Sequence, residues 1–505
     1  MIFSSLFFLT VFLPIVLISC WGVRFLLEAI ARKRFGASLQ EPQSDGSINV
    51  SWLPVNALLL FYSLLFYFWG EGLGVLWLIA SVVANHIFAI LIAKNQAKRG
   101  LCKAILGIAI TLNLLFLCWF KYIGFGVNSI NSIFGLLIPV PQIALPLGIS
   151  FYTFQAMSYV CDVYRESVAP SRSIIDFGCY VTMFPQLVAG PIVRYSDIAA
   201  RLISRRISID DVSYGFRRFF VGLAKKVLIA NSVAMMADSV WKFAEAGQGM
   251  LPMMAWIGVI CYTLQIYYDF SGYSDMAIGL GRMLGFKFNE NFVYPYCATS
   301  IRDFWRRWHI SLSTWFRDYL YIPLGGSRKG KLRTGLNCLI VFGLCGLWHG
   351  AGIMFVLWGL WHGAFLMIER WLPEFKAPQS KLLQVLSFVL KHIYTICVFV
   401  FGWILFRSES FAGMSVVLIS MFGLAEVTPE TNILWIDCSY KLLISMAIGI
   451  LCAYPIVPYI RNKIYKYCNA NLIYSIEWLI LSLLGLLSML FVAGGSYNPF
   501  LYFRF

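Results

Sequence analysis

Uncharged apolar runs of about twenty residues recur along this chain, and basic residues close most of them. Phe3 to Cys20 carries no charge and is followed by Arg24, Arg32, Lys33 and Arg34. Runs near 54–70 and 73–93 are expected to form a hairpin around Gly70, Glu71 and Gly72 and end at Lys94. A backbone in lipid must satisfy its own N–H and C=O groups, which leaves only helices and closed barrels. The runs here are continuous, not the ten-residue alternating segments of a barrel, so they predict helices. Charged residues make up 13% of the chain, half the share of an average soluble domain, and hydrophobic ones 60%. A soluble multi-domain protein is therefore excluded.

The net charge of +16 at first suggests nucleic acid. The basic residues, however, sit in short loops beside apolar runs, the pattern of cytoplasmic membrane loops, and no DNA- or RNA-binding motif accompanies them. The partner implied is membrane lipid, and nucleic acid is not expected. The 13 cysteines include no C-x-x-C pair, and most lie within apolar runs, where cysteine acts as a small buried hydrophobe. No metal site is expected: there is no HExxH, and no carboxylate at helical spacing from His349.

Read in order, the first run is a retained helix with its N-terminus outside, since no basic residues precede it. Further helices are predicted near 104–120 and 143–164. The second of these carries Ser150, Gln155, Ser158 and Asp162, a polar face that should point into the bundle. FPQLVAGPIVRYSD, residues 184–197, is too short and too rich in Pro and Gly to span and reads as re-entrant, with a plain loop as the alternative. Helices follow near 219–240 and 251–269. Asp269 and Asp275 then flank a Gly/Ser-rich break, where they serve as acid/base groups or as caps and arginine partners. Residues 302–320 read as one amphipathic interfacial helix, with Phe304, Trp308, Trp315 and Tyr319 opposite Arg302, Arg306, His309, Ser313 and Arg317. A hairpin of 334–349 and 352–369, then helices near 386–406, 442–460 and 474–494, bring the total to about twelve spans.

Three of the five histidines, His309, His349 and His362, fall between residues 302 and 362. An ionisable residue at membrane depth is costly and marks a functional site by default. Histidine is a suitable general base near neutral pH, able to take a proton from a hydroxyl as that oxygen attacks an acyl thioester. His349 lies in Gly-Leu-Trp-His-Gly-Ala-Gly, where Trp348 walls the site and the glycines admit a ligand. Spacing alone leaves a helix-end histidine bonded to a carbonyl equally open. His309 shares its face with arginines that can attract donor phosphates, or it is simply a solvated interfacial residue. His362 reads as packing; His86 and His392 read as satisfied bundle residues.

FPQLVAGPIVRY, DFWRRWHISLSTWFRDYLYIPLGG and GLWHGAG together resemble the membrane-bound O-acyltransferase family, and most nearly its bacterial alginate O-acetyltransferase branch. The similarity runs from about residue 50 onward; the N-terminal residues and 370–440 are generic. The resemblance implies a helical bundle around a central tunnel that admits donor from the cytoplasm and acceptor from the far side. It implies His349 as the essential histidine and His309 as the second polar position. Arg302, Arg306, Trp308, Ser313, Arg317 and Trp348 are read from their own chemistry as lining the donor path or tunnel. The ending Phe500-Leu-Tyr502-Phe-Arg-Phe505 resembles an F-x-Y-x-x-F terminus of this branch, which makes Tyr502 a candidate acyl relay; the alternative is an ordinary membrane-edge aromatic.

The expectation is thus an all-α polytopic membrane protein, one integral membrane acyltransferase domain over 1–505. Its parts are an N-terminal helix and loop (1–50), a catalytic core (150–370), and C-terminal helices with a periplasmic aromatic tail (371–505). It would move an acyl group, acetyl by preference, from a cytoplasmic thioester to a secreted or cell-surface polysaccharide such as alginate. Acetyl-CoA or an acyl-carrier thioester would be the donor substrate, with no cofactor bound. The location implied is the bacterial inner membrane, and the partners a periplasmic acetyltransferase protein and the polysaccharide export machinery. A rival reading is a transporter or flippase of a glycan precursor, which should show paired broken helices in two halves. Breaks occur near 184–197 and 268–275 without a matching pair elsewhere.

Overall fold

The computed structural model describes residues 3–35, 51–372, 380–495 and 497–499. Among them helix is the main regular structure, with no strand, and non-helical segments such as 136–146 and 286–294 connect the helices. Seven helices are long and apolar enough to cross a membrane, or eight if the bent pair Pro429–Asp437 and Tyr440–Cys452 is one span. That is fewer than the twelve counted from sequence. Leu53–Lys94, expected as a hairpin, is one helical stretch of 42 residues that includes a short 3₁₀ turn at Gly72–Gly74. Ile149–Tyr164 has only 16 residues and is buried almost throughout, so its polar side chains face protein on every side. Many leucines and isoleucines on the spans stay exposed, Leu479, Leu483, Leu486 and Leu490 on Ala470–Ala493 among them, as a lipid-facing surface requires.

The chain forms two compact units, Met1–Phe219 with Ser274–Asn289, and Phe220–Tyr273 with Glu290–Phe505. In the first, Leu53–Glu71 packs on Ile174–Thr182, and Val75–Lys94 on Ile149–Tyr164. Residues 181–193, covering most of the Pro/Gly-rich segment, are buried throughout, unlike a surface loop. Phe184 anchors the segment in a cluster with Phe3, Phe8, Phe12 and Phe66, and its N–H donates to Ser63 Oγ at 3.1 Å. Arg205 is buried between the faces of Trp52 and Phe286 and donates to Asn56 Oδ1 and Leu284 O.

The Gly/Ser-rich break expected between Asp269 and Asp275 is absent. Pro252–Met283 is one helix of 32 residues. Its glycines serve close packing instead: a Cβ on Gly279 would come within 2.5 Å of Gly215 O in the first unit, and one on Gly272 within 2.8 Å of Gly222 O in the second. The carboxylates pair as predicted in kind but not always in partner. Asp275 takes Arg218 at 2.7 Å, whereas Asp269 takes a lysine, Lys226, at 2.6 Å.

In the second unit the hairpin of Gly330–His349 and Ile353–Trp371 packs against Lys381–Arg407. Its two helices approach so closely that a Cβ on Gly359 would overlap Phe342 O. At the turn, a Cβ on Gly352 would meet Phe355 Cδ2 at an ordinary 3.5 Å. Gly359→Val is therefore expected to abolish or strongly reduce folded protein, read as monodisperse yield in detergent, while Gly352→Ala leaves it near wild type.

Candidate functional site

The stretch predicted as one interfacial helix is two. Ile301–Arg307 and Ile310–Phe316 are separated at Trp308 and His309, and a π-helical turn, Arg317–Tyr321, follows. His309 sits at φ 42°, ψ 54°, a conformation non-glycine residues rarely adopt. The chain at 291–293 takes up the backbone groups that the break frees. Ile310 N–H donates to Asn291 O at 3.0 Å, and Val293 N–H donates to Arg307 O at 3.0 Å. The first helix is held at its start by a remote carboxylate, Glu369, which accepts from the N–H groups of Ile301 and Arg302 at 2.5 and 3.0 Å.

This break turns His309 inward. It is 1% exposed, not a solvated interfacial residue. Its Nδ1 lies 3.2 Å from Asn291 Oδ1. The same oxygen accepts from Ser311 N–H at 3.1 Å and Ser311 Oγ at 2.9 Å. A backbone N–H can only donate, so the Asn291 atom facing it is the carbonyl oxygen, and the His309 Nδ1 beside that oxygen must carry the proton. Nε2 is then the unprotonated nitrogen, and it has no hydrogen-bond partner among the described residues. Burial pushes the imidazole down to about 3, which keeps the ring neutral across physiological pH.

The structure brings His309 and His349 into one aromatic cluster. The His309 ring meets Phe270 at 4.5 Å and Trp348 at 6.4 Å. Trp348 meets His349 at 4.8 Å, and His349 is boxed further by Trp358 at 5.0 Å and Phe406 at 5.1 Å, both nearly perpendicular to it. His349 ends its helix at the hairpin turn and is 6% exposed. Trp308 is buried against Tyr267, Phe292 and Trp403. Arg302, Arg306 and Arg317 remain exposed, and Ser313 is half-buried. Tyr502 lies outside the described residues.

His362 is fully buried among Phe304, Trp305, Trp358 and Trp403, and neither ring nitrogen has a partner among the described residues. His392 is satisfied as expected, by Ala298 O at 3.0 Å and Tyr454 Oη at 2.7 Å. His86 is not, since its buried Nδ1 has no partner among the described residues. Asn291, Trp358 and Phe406 were missed from sequence. Trp358 sits in a second Trp-Gly-Leu-Trp-His-Gly stretch that echoes Gly-Leu-Trp-His-Gly, a usable signal; Asn291, in a polar loop, offers none.

The fold and this cluster define a multi-pass helical membrane protein with two buried histidines meeting across a tryptophan. The chain belongs to the membrane-bound O-acyltransferase family, whose sequence profile matches residues 63–407. Over its full length it is 37% identical to a probable alginate O-acetylase of Pseudomonas putida, covering all of both chains. It is 40% identical to the probable alginate O-acetylase of Pseudomonas aeruginosa, over 81% of this chain and 72% of that one. It is 30% identical to the peptidoglycan O-acetyltransferase of Helicobacter pylori, over all of this chain and 98% of that one. Family membership makes the protein an acyltransferase.

Asn291→Leu should leave the Ser311 N–H and His309 Nδ1 without an acceptor, a cost of roughly 1–3 kcal/mol per buried group. A lowered melting temperature in detergent checks it. Because the folded imidazole lies below its unfolded value, the stability of keeping it neutral is present above about 6.5 and declines as pH falls below that. A His309→Gln variant should flatten the decline in melting temperature between pH 7 and 5.

Proposed function

We propose that this acyltransferase moves an acetyl group from a cytoplasmic thioester, acetyl-CoA or an acyl-carrier thioester, across the bacterial inner membrane for O-acetylation of a secreted or cell-surface polysaccharide such as alginate. The meeting of His309 and His349 on Trp348, inside a cluster of aromatic rings, carries the reading. The names of the relatives support acetyl as the group and a bacterial glycan as the acceptor.

In this mechanism His349 removes the proton of the attacking hydroxyl as its oxygen bonds to the thioester carbonyl carbon. The C–S bond breaks, and the thiol leaves with a proton. His309, neutral with its Nε2 lone pair presented, orients the donor or the proton path. Trp348 and Trp308 wall the reacting groups from water, and Arg302, Arg306, Arg317 and Ser313 draw the donor's phosphates to the entrance. We place the catalytic core in 150–370 and the histidines on a central tunnel through the helical bundle. Tyr502 supplies that attacking hydroxyl: its phenolic oxygen takes the acetyl group as an ester, and a hydroxyl of a periplasmic acetyltransferase partner then attacks the ester and returns the proton to the phenol, passing the acetyl group toward the export machinery.

The test is the O-acetyl content of surface glycan in cells carrying the wild type or His349→Ala. A general base contributes ~10²–10⁴-fold, so acetylation should fall at least about a hundredfold with membrane level unchanged. Unchanged acetylation would overturn the assignment of His349.

A further inference from the structure

A buried charge pair in the second unit has no part in the mechanism above. Lys226 and Asp269 are 1% and 2% exposed and pair at 2.6 Å. Burying two charges costs several kcal/mol per ion, and a well-packed apolar pair is often as stable, so such a pair is weak evidence of a stabilising role. Lys226 also lies in a π-helical turn, Lys225–Ala230, a local geometry frequent at functional sites.

The segment Tyr497–Pro499 is seated on this place. Lys226 Nζ donates to Pro499 O. Asn231 Nδ2 donates to Asn498 Oδ1 at 3.1 Å. Tyr497 Oη donates to Asp238 Oδ2 at 2.6 Å, while the other oxygen of Asp238 accepts from Arg407 at 2.8 Å. Each of three successive residues thus makes a polar contact with one helical stretch. Lys226 and Asn231 are five apart, one turn of π-helix, and Asn231 and Asp238 seven apart, two turns of α-helix, so all three share a face. The docked segment runs antiparallel to that helix. Asp269 immediately precedes Phe270, whose ring meets His309 at 4.5 Å.

We propose that Lys226, Asn231 and Asp238 form a docking face for the chain's own segment 497–499, and that the Lys226–Asp269 pair is the positioning element that holds Pro499 beside the helix that carries Phe270 against His309. The functional half rests on the acyl-transfer reading above; the docking half does not. Lys226 and Asp269 act through the segment and are positioning residues, not catalytic ones.

Chymotrypsin cleavage after Tyr497, followed by mass spectrometry on the full-length protein in detergent, reads the docking. The double variant Lys226→Met/Asp269→Leu removes both charges together and leaves neither unpaired. It should be cut at least about tenfold faster, the scale of one hydrogen bond to a charged group. Asn498→Ala, which alters only the docked segment, should shift the rate in the same direction if the double variant fails to fold. Surface O-acetylation should fall with docking and return when an Asn231→Cys/Asn498→Cys disulfide re-tethers the segment, a rescue that a merely structural role would not give. Unchanged cleavage in both variants overturns the docking face. Faster cleavage with wild-type acetylation overturns the positioning role. Absence of acetylation in the wild type refutes the acyl-transfer reading and leaves the cleavage result standing.

Discussion

One carbonyl oxygen organises the centre of the second unit. Asn291 Oδ1 gathers the Ser311 N–H, the Ser311 hydroxyl and the His309 ring at a point where the helix has broken. Without that acceptor the break would leave buried donors unsatisfied, a cost that native interiors rarely carry. With it, a histidine in a strained left-handed conformation is held neutral, with a known tautomer and an open nitrogen. Strain of this kind persists only where its surroundings over-determine it, and it concentrates at functional sites.

The aromatic packing makes this local device into a site. Trp348 touches both histidines, and Trp358 touches both His349 and His362. A low-dielectric surround strengthens every electrostatic interaction within it and excludes water. The close glycine-mediated packing of the hairpin sets where His349 stands, and Glu369 on that hairpin sets where the first half of the broken helix starts. The positions of His309 and His349 are thus coupled through one hairpin.

Much of this was legible in the sequence. Helix class and membrane residence follow from apolar run length, and His349 and His309 stand out because ionisable groups in such surroundings are rare. The span count was less legible, because hydropathy cannot separate a lipid-facing helix from one such as Ile149–Tyr164 that is enclosed by protein. The break at His309 was invisible. Phe304, Trp308, Trp315 and Tyr319 keep helical spacing across it, and it is the chain at 291–293, outside that stretch, that makes the break favourable. The reverse error occurred at 269–275, where glycine and serine suggested a break but served close helix packing. Asp269 was expected beside arginine, and its lysine partner lay 43 residues back along the chain, beyond any local rule.

The central claim is that His349 performs the chemistry on a thioester within this cluster. Its most direct measure is thiol release from acetyl-CoA, or from an acetylated carrier protein, by the purified protein in detergent with a soluble glycan acceptor. The account predicts acceptor-dependent release by the wild type and loss of it in a His349→Ala variant that remains folded and monodisperse in detergent. Equal release by the two proteins would contradict it.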